Sequence, residues 1–155
     1  MAADGNITKD IIYDAVAPDD FESMLELDRY GNRSTAFDKI ISATHDHFWD
    51  PLDTKYIDFK DDFDPDTTDF IPDVMIPALL TDYVSNHFAD KPAERIRFKS
   101  QVGRWVMSSI LHGEQGALNL SASLCHVLRD PGAQEYAANQ TREEGRHVTA
   151  FAKYI

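Results

Sequence analysis

The sequence predicts an all-α protein, and three features support that fold class. Between Ala93 and Leu128 the chain has no proline, and apolar residues recur at intervals of three and four, the period of an α-helix. Asp130-Pro131 then ends one helix and begins another, because Asp is a common N-cap and Pro is tolerated at the first helical position. Segments that alternate polar and apolar residues, as strands do, are almost absent. A long helical hairpin over residues 93–155 is therefore expected.

Residues 1–48 predict short helices that precede the hairpin. Asp19 and Asp20 are expected to cap a helix that ends at Gly31. Ser34 is expected to cap a second helix. This second helix carries a stripe at helical spacing, formed by Phe37, Ile40, Ile41, Thr44 and Phe48.

Residues 49–75 predict a long acidic loop, since they are rich in Asp and Pro and lack a helical period. Loops of this length are uncommon in compact domains. The regularly spaced aromatic residues indicate that the loop wraps over the helices; they are Tyr56, Phe59, Phe63 and Phe70. A further helix is expected to begin at Pro77 and to end before Pro92.

Composition and charge limit the kinds of partner. The 155 residues include 15 Lys and Arg against 27 Asp and Glu, a net charge of −12, and 43% are hydrophobic. This balance favours one packed domain and argues against binding to nucleic acid or to anionic membranes, whose phosphates need basic surfaces. Cys125 is the only cysteine, and the first ten residues do not have the pattern of a secretory signal. A cytoplasmic protein without a membrane-spanning segment is expected.

Glu114 is the first candidate functional residue. It falls in line with seven residues on the face of its helix that should be buried, which are Met107, Ile110, Leu111, Ala117, Leu118, Ser121 and Cys125. A glutamate is almost never buried without a partner, because an isolated carboxylate costs several kcal/mol in an apolar setting. A cation is therefore the expected partner.

Glu144 and His147 are the second and third candidates. They lie three residues apart on the next helix and share one face of it. From Glu114 to the turn at Asp130 is 16 residues, and from there to Glu144 is 14 residues, or about 24 Å and about 21 Å of helix. The three side chains should therefore meet at one height of an antiparallel hairpin, where they can share a metal ion.

This hairpin, over residues 92–155, resembles the first half of the ferritin-like di-iron carboxylate proteins. That family includes monooxygenase hydroxylases, acyl-carrier-protein desaturases, ribonucleotide reductase small subunits and N-oxygenases. Its bundles use a lone Glu on each of two helices and a Glu-x-x-His on each of two others. By this resemblance Glu114 corresponds to the lone glutamate, Glu144 to the glutamate that can bridge both metals, and His147 to the imidazole ligand. Glu143 and Arg146, in a run similar to the Asp-Glu-x-Arg-His of the hydroxylases, would orient the ligands.

The resemblance implies a non-haem di-iron oxygenase with no catalytic residues beyond the metal ligands. Such a protein binds two iron ions per complete site, with manganese as an alternative, and activates dioxygen to oxidise a small organic substrate. It also implies an electron-donor protein. The expected fold is a partial ferritin-like bundle over 1–155, with N-terminal helices (1–48), the acidic loop (49–75) and the remaining helices (76–155).

The chain offers only half of the ligands of such a site, since no second Glu-x-x-His is present. We therefore expect either that the chain is the N-terminal part of a longer protein or that two copies form one site as a homodimer.

Two other functions remain open at this stage. One is a ferritin-like iron-binding protein or ferroxidase. The other is a metal-free helical interaction module in which Arg104, Arg142 or Arg146 pairs with the two carboxylates. Two explanations account for the glycines beside the candidate ligands, which are Gly113, Gly116 and Gly145. They either leave room for dioxygen or substrate or allow two helices to pack closely.

Overall fold

The computed structural model describes residues 15–17, 20–56, 58, 64–69 and 71–155, apart from the side chain of Phe21, and within them it contains helices and no strand beyond a single bridge between Ala15 and Leu128. The helices are α1 (Phe21–Met24), α2 (Asp28–Gly31), α3 (Asp38–Asp46), α4 (Ala78–His87), α5 (Pro92–Val127) and α6 (Pro131–Tyr154), with a 3-10 turn at Asp73–Met75. The all-α prediction is confirmed. The described part contains no helix long and apolar enough to cross a bilayer.

The long hairpin is formed as the sequence predicts, with helix ends within one residue of the expected positions. Asp130 caps α6: its Oδ1 accepts a hydrogen bond from the backbone N–H of Ala133 at 2.7 Å. Its Oδ2 accepts a second one from the backbone N–H of Ser34 at 2.8 Å. A single buried carboxylate thus begins α6 and attaches the N-terminal segment to it.

The predicted cap at Ser34 is wrong. α3 begins later, at Asp38, with Phe37 at the N-cap position. The Ser34 hydroxyl instead accepts a hydrogen bond from the backbone N–H of Ala36 at 3.1 Å. The Ser34 backbone N–H donates to Asp130, and Ser34 lies four residues before the first residue of α3.

The helix predicted to end at Gly31 is two short helices. Asp20 caps α1, accepting a hydrogen bond from the backbone N–H of Ser23 at 3.1 Å, as expected. Asp19 lies outside the described residues. The chain then turns at Leu25 before α2 begins at Asp28.

The chain divides into two compact units, and the first contains Met1–Asp50 and Glu114–His147. Its N-terminal helices attach to α6 through polar and aromatic contacts. The ring of Phe37 stacks on Tyr136 with centroids 4.8 Å apart. Thr44 and Asn139 exchange hydrogen bonds of 2.8 and 3.1 Å. Only Ile41 of the predicted α3 stripe is buried, whereas Ile40 and Phe48 are exposed, so the stripe is narrower than the periodicity indicates.

The second unit contains Pro51–Gly113 and Val148–Ile155. Its core is a cluster of Ile71, Ile76, Val84 and Phe88. The buried amine of Lys99 pairs with Asp69 at 2.5 Å and with Asp73 at 2.9 Å, which ties the end of the acidic segment to α5. The prediction that the loop aromatics wrap over helices falls largely on Phe59, Phe63 and Phe70, which lie outside the described residues.

Candidate metal centre

The two long helices bring Glu114, Glu144 and His147 together. The Nδ1 atom of His147 lies 3.1 Å from Oε2 of Glu114 and 3.1 Å from Oε2 of Glu144. One ligand atom from each residue lies within 4.8 Å of the others. The prediction that the three side chains meet at one height of the hairpin is therefore confirmed, and the group lies entirely within the first unit.

The three residues differ in their exposure. Glu144 is buried, whereas the side chains of Glu114 and His147 retain 24% and 39% of their accessible surface. Glu114 is thus less buried than the sequence predicts, and Ile110, one turn before it, is exposed. The apolar stripe of such a helix covers about 100° around the helix axis. One neighbouring helix can therefore cover the centre of the stripe and leave its edges open to solvent.

The two carboxylates lie close enough together for each to shift the pKa of the other. The pKa of Glu114 is raised, first by the hydrogen bond with Glu144 and to a smaller extent by burial. The neighbouring His147 opposes this rise. Burial works against the charge on Glu144, but hydrogen bonds with Glu114, Gln140 and His147 outweigh it and lower the pKa of that carboxyl. Two carboxylates this close favour a cation or a proton between them, because both cannot carry an uncompensated charge.

The donor set fits a divalent first-row metal ion. For an ion with bonds of about 2.1 Å to nitrogen and oxygen, neighbouring ligand atoms lie about 3.0–3.4 Å apart. The two distances of 3.1 Å from His147 Nδ1 fall in this range. Carboxylate and imidazole ligands suit iron, manganese and zinc, and their type does not distinguish these metals.

No arginine or lysine neutralises the two carboxylates among the described residues. Arg104 donates to the backbone oxygen of Ile155 at 3.2 Å. Arg142 and Arg146 both donate to Glu143, at distances of 2.7 to 3.1 Å. The metal-free alternative predicts that Arg104, Arg142 or Arg146 pairs with the two candidate carboxylates. None of these three arginines does so, and this part of the prediction is wrong.

Glu143 and Arg146, expected to orient the ligands, bind each other. The Arg146 guanidinium donates to both carboxylate oxygens of Glu143 and lies 4.5 Å over the ring of Phe48. Burial disfavours the charged form of Glu143, but its two arginine partners outweigh this and lower its pKa. Neither residue forms a hydrogen bond or ion pair with a candidate ligand in the described part of the chain, so their orienting role stays a prediction.

Two contacts of the site were not predicted from the sequence. The side-chain amide of Gln140 donates a hydrogen bond to Oε1 of Glu144. The ring of Trp49 stacks on the His147 imidazole, with centroids 5.9 Å apart and an angle of 24° between the planes. Gln140 could have been found, because it precedes Glu144 by one helical turn. Trp49 could not, because its contact joins residues far apart in the sequence.

The glycines beside the ligands do not serve close packing at every position. A methyl group added at Gly113 or Gly116 would meet nothing within 4 Å. One added at Gly145 would lie 3.7 Å from Leu118 Cδ1, an ordinary contact. Within the described part of the chain, no side chain or backbone packs closely against Gly113 or Gly116.

Comparison of the chain with protein-family models, with curated proteins and with solved structures found no match.

Proposed function

We propose that Glu114, Glu144 and His147 bind one divalent first-row metal ion, and that this centre belongs to a non-haem di-iron oxygenase with a ferritin-like helical fold. The observation that carries the proposal is the position of His147 Nδ1 at 3.1 Å from one oxygen of each glutamate. Three metal-ligating side chains of matching chemistry thus converge from two helices, where sequence spacing alone predicted them.

The charge balance of the site supports a cation rather than a structural ion pair. Two glutamates face each other, and the nearest arginines bind a third glutamate instead. A proton on one carboxylate would leave the other one charged beside His147. A divalent cation would compensate both, at the cost of displacing that proton.

The assignment to iron and dioxygen chemistry rests on the resemblance to the ferritin-like di-iron proteins. Such a site would hold a reduced iron pair, which would supply the chemistry that activates dioxygen for the oxidation of a small organic substrate, with electrons from a donor protein. The residues of this chain would contribute two carboxylates and one imidazole. The other ligands would come from a second copy of the chain or from further segments of a longer protein.

Metal titration tests the proposal directly. Trp105→Phe leaves Trp49, which stacks on His147, as the only tryptophan, so its fluorescence reports on the site. We expect anaerobic addition of ferrous iron, or of cobalt(II) as an air-stable substitute, to quench Trp49 fluorescence saturably. The cobalt complex should also develop visible absorption bands. Glu114→Gln and His147→Ala, made in the same background, should abolish both signals, because each removes one of three ligands.

Matched controls separate ligand loss from general damage. His112→Ala removes an exposed histidine of α5, the helix that carries Glu114. Glu94→Gln removes an exposed carboxylate at the start of α5. Both variants should bind metal like the parent protein. The proposal is wrong if the parent protein does not respond to millimolar ferrous iron and cobalt(II), or if the ligand variants bind as tightly as the controls.

A further inference from the structure

The two oxygens of the buried Glu144 carboxylate have different partners. Oε1 accepts a hydrogen bond from the side-chain amide of Gln140, one helical turn earlier. Oε2 faces His147 Nδ1 at 3.1 Å, on the side where Glu114 lies. The carboxylate therefore presents one specified oxygen to the candidate ligands.

Such a hydrogen bond has a physical effect on a flexible ligand. The terminal torsion of a glutamate has a broad, roughly two-fold energy profile, so a free carboxylate can present either oxygen or both. A donor on one oxygen fixes the carboxylate plane, and partners of this kind typically contribute about 10–100-fold in metal affinity.

The charge of the donor matters as well. Glu144 is held by a neutral amide, whereas its neighbour Glu143 is held by the cations Arg142 and Arg146. An amide satisfies a buried oxygen and leaves the negative charge of the carboxylate available. A guanidinium at the same place would neutralise that charge and compete with a metal ion.

We propose that Gln140 is a positioning residue that holds Glu144 as a ligand through Oε2 alone. The inference rests on the proposed function, since it concerns the same metal centre. It also adds a consequence for a second ion: the Gln140 amide occupies one of the two lone-pair sites of Oε1 and therefore competes with an ion at that oxygen. Gln140 thereby favours occupation of the first metal position over bridging by Glu144.

Cobalt(II) titration of two variants tests this role. Gln140→Met keeps a side chain of similar length and removes the amide donor, and Gln140→Asn keeps the amide but shortens its reach. Gln115→Met is the matched control, because Gln115 is exposed on α5. We expect both Gln140 variants to bind the first cobalt ion about 10–100-fold more weakly than wild type. We also expect their visible absorption bands to change in position or intensity, because Glu144 is then free to bind through both oxygens.

The spectral change distinguishes positioning from a merely structural contribution, which would lower affinity without altering the bound complex. Circular dichroism at 222 nm checks that the variants fold, and either variant alone suffices for the test. If wild type binds cobalt and both Gln140 variants bind it with unchanged affinity and spectrum, the role of Gln140 is wrong and the metal centre stands. If wild type does not bind cobalt or ferrous iron, the proposed function fails and the inference fails with it.

Discussion

Gly132→Ala should destabilise the protein by disturbing the start of α6, the helix that carries Glu144 and His147. A methyl group at this position would lie 2.1 Å from the backbone oxygen of Ser34 and 3.2 Å from Oδ1 of Asp130. A carbon and an oxygen cannot approach to 2.1 Å, and the obstructing atom belongs to the backbone, which cannot rotate away. The segment at Ser34 and the first turn of α6 must therefore move apart.

The structure sets the size of the effect. Forcing a methyl group into a packed position costs about 1–3 kcal/mol. The movement would also break the hydrogen bond from the Ser34 N–H to the Asp130 carboxylate, which is worth about 1.5–3 kcal/mol because the acceptor is charged. Alanine recovers about 0.5–1 kcal/mol over glycine in a helix. The net loss in the free energy of unfolding should be about 2–5 kcal/mol.

Urea denaturation followed by circular dichroism at 222 nm measures this loss. Gly116→Ala is the matched control, because a methyl group there meets nothing within 4 Å. It should raise the free energy of unfolding by about 0.5–1 kcal/mol. A Gly132→Ala protein as stable as wild type would refute the close approach of Ser34 to α6. A destabilised Gly116→Ala protein would refute the open surroundings of that helix position.

Two further variants examine the ion pairs outside the ligand set. Burial opposes the charge on Lys99, but hydrogen bonds to Asp69 and Asp73 outweigh it and raise its pKa. Lys99→Met should therefore cost about 1–3 kcal/mol at neutral pH. This difference in stability from wild type should shrink as pH rises beyond about 10.4, through the raised pKa of Lys99, because the amine then loses its charge. Urea denaturation at several pH values measures the difference. A difference that does not change with pH would contradict the prediction. Arg146→Met should lower the free energy of unfolding by about 1–3 kcal/mol, since it leaves Glu143 with one arginine. Its cobalt affinity should stay within a few-fold of wild type, and a loss like that of Glu114→Gln would show that Arg146 acts on the ligands.

The sequence alone determined the long helices and the meeting of the three candidate ligands. The helical period, the Asp130-Pro131 restart and the spacing of Glu114 and Glu144 from it are local features, and a helix rises by a constant amount per residue. Two long helices joined by a short turn can bury their apolar faces against each other as an antiparallel hairpin, in which equal distances from the turn place side chains at equal heights. This geometry needed no knowledge of the rest of the fold.

Only the tertiary structure decided how each side chain at the site is used. Glu144 is buried while Glu114, from α5, lies beside the same His147 nitrogen, and this difference in burial depends on how the two helices are rotated against their neighbours. The stacking of Trp49 on His147 and the loss of the expected Ser34 cap to Asp130 are equally non-local. Such contacts join residues far apart in the chain, and their energies depend on distance and direction in space. Periodicity and capping preferences describe only neighbours along the chain.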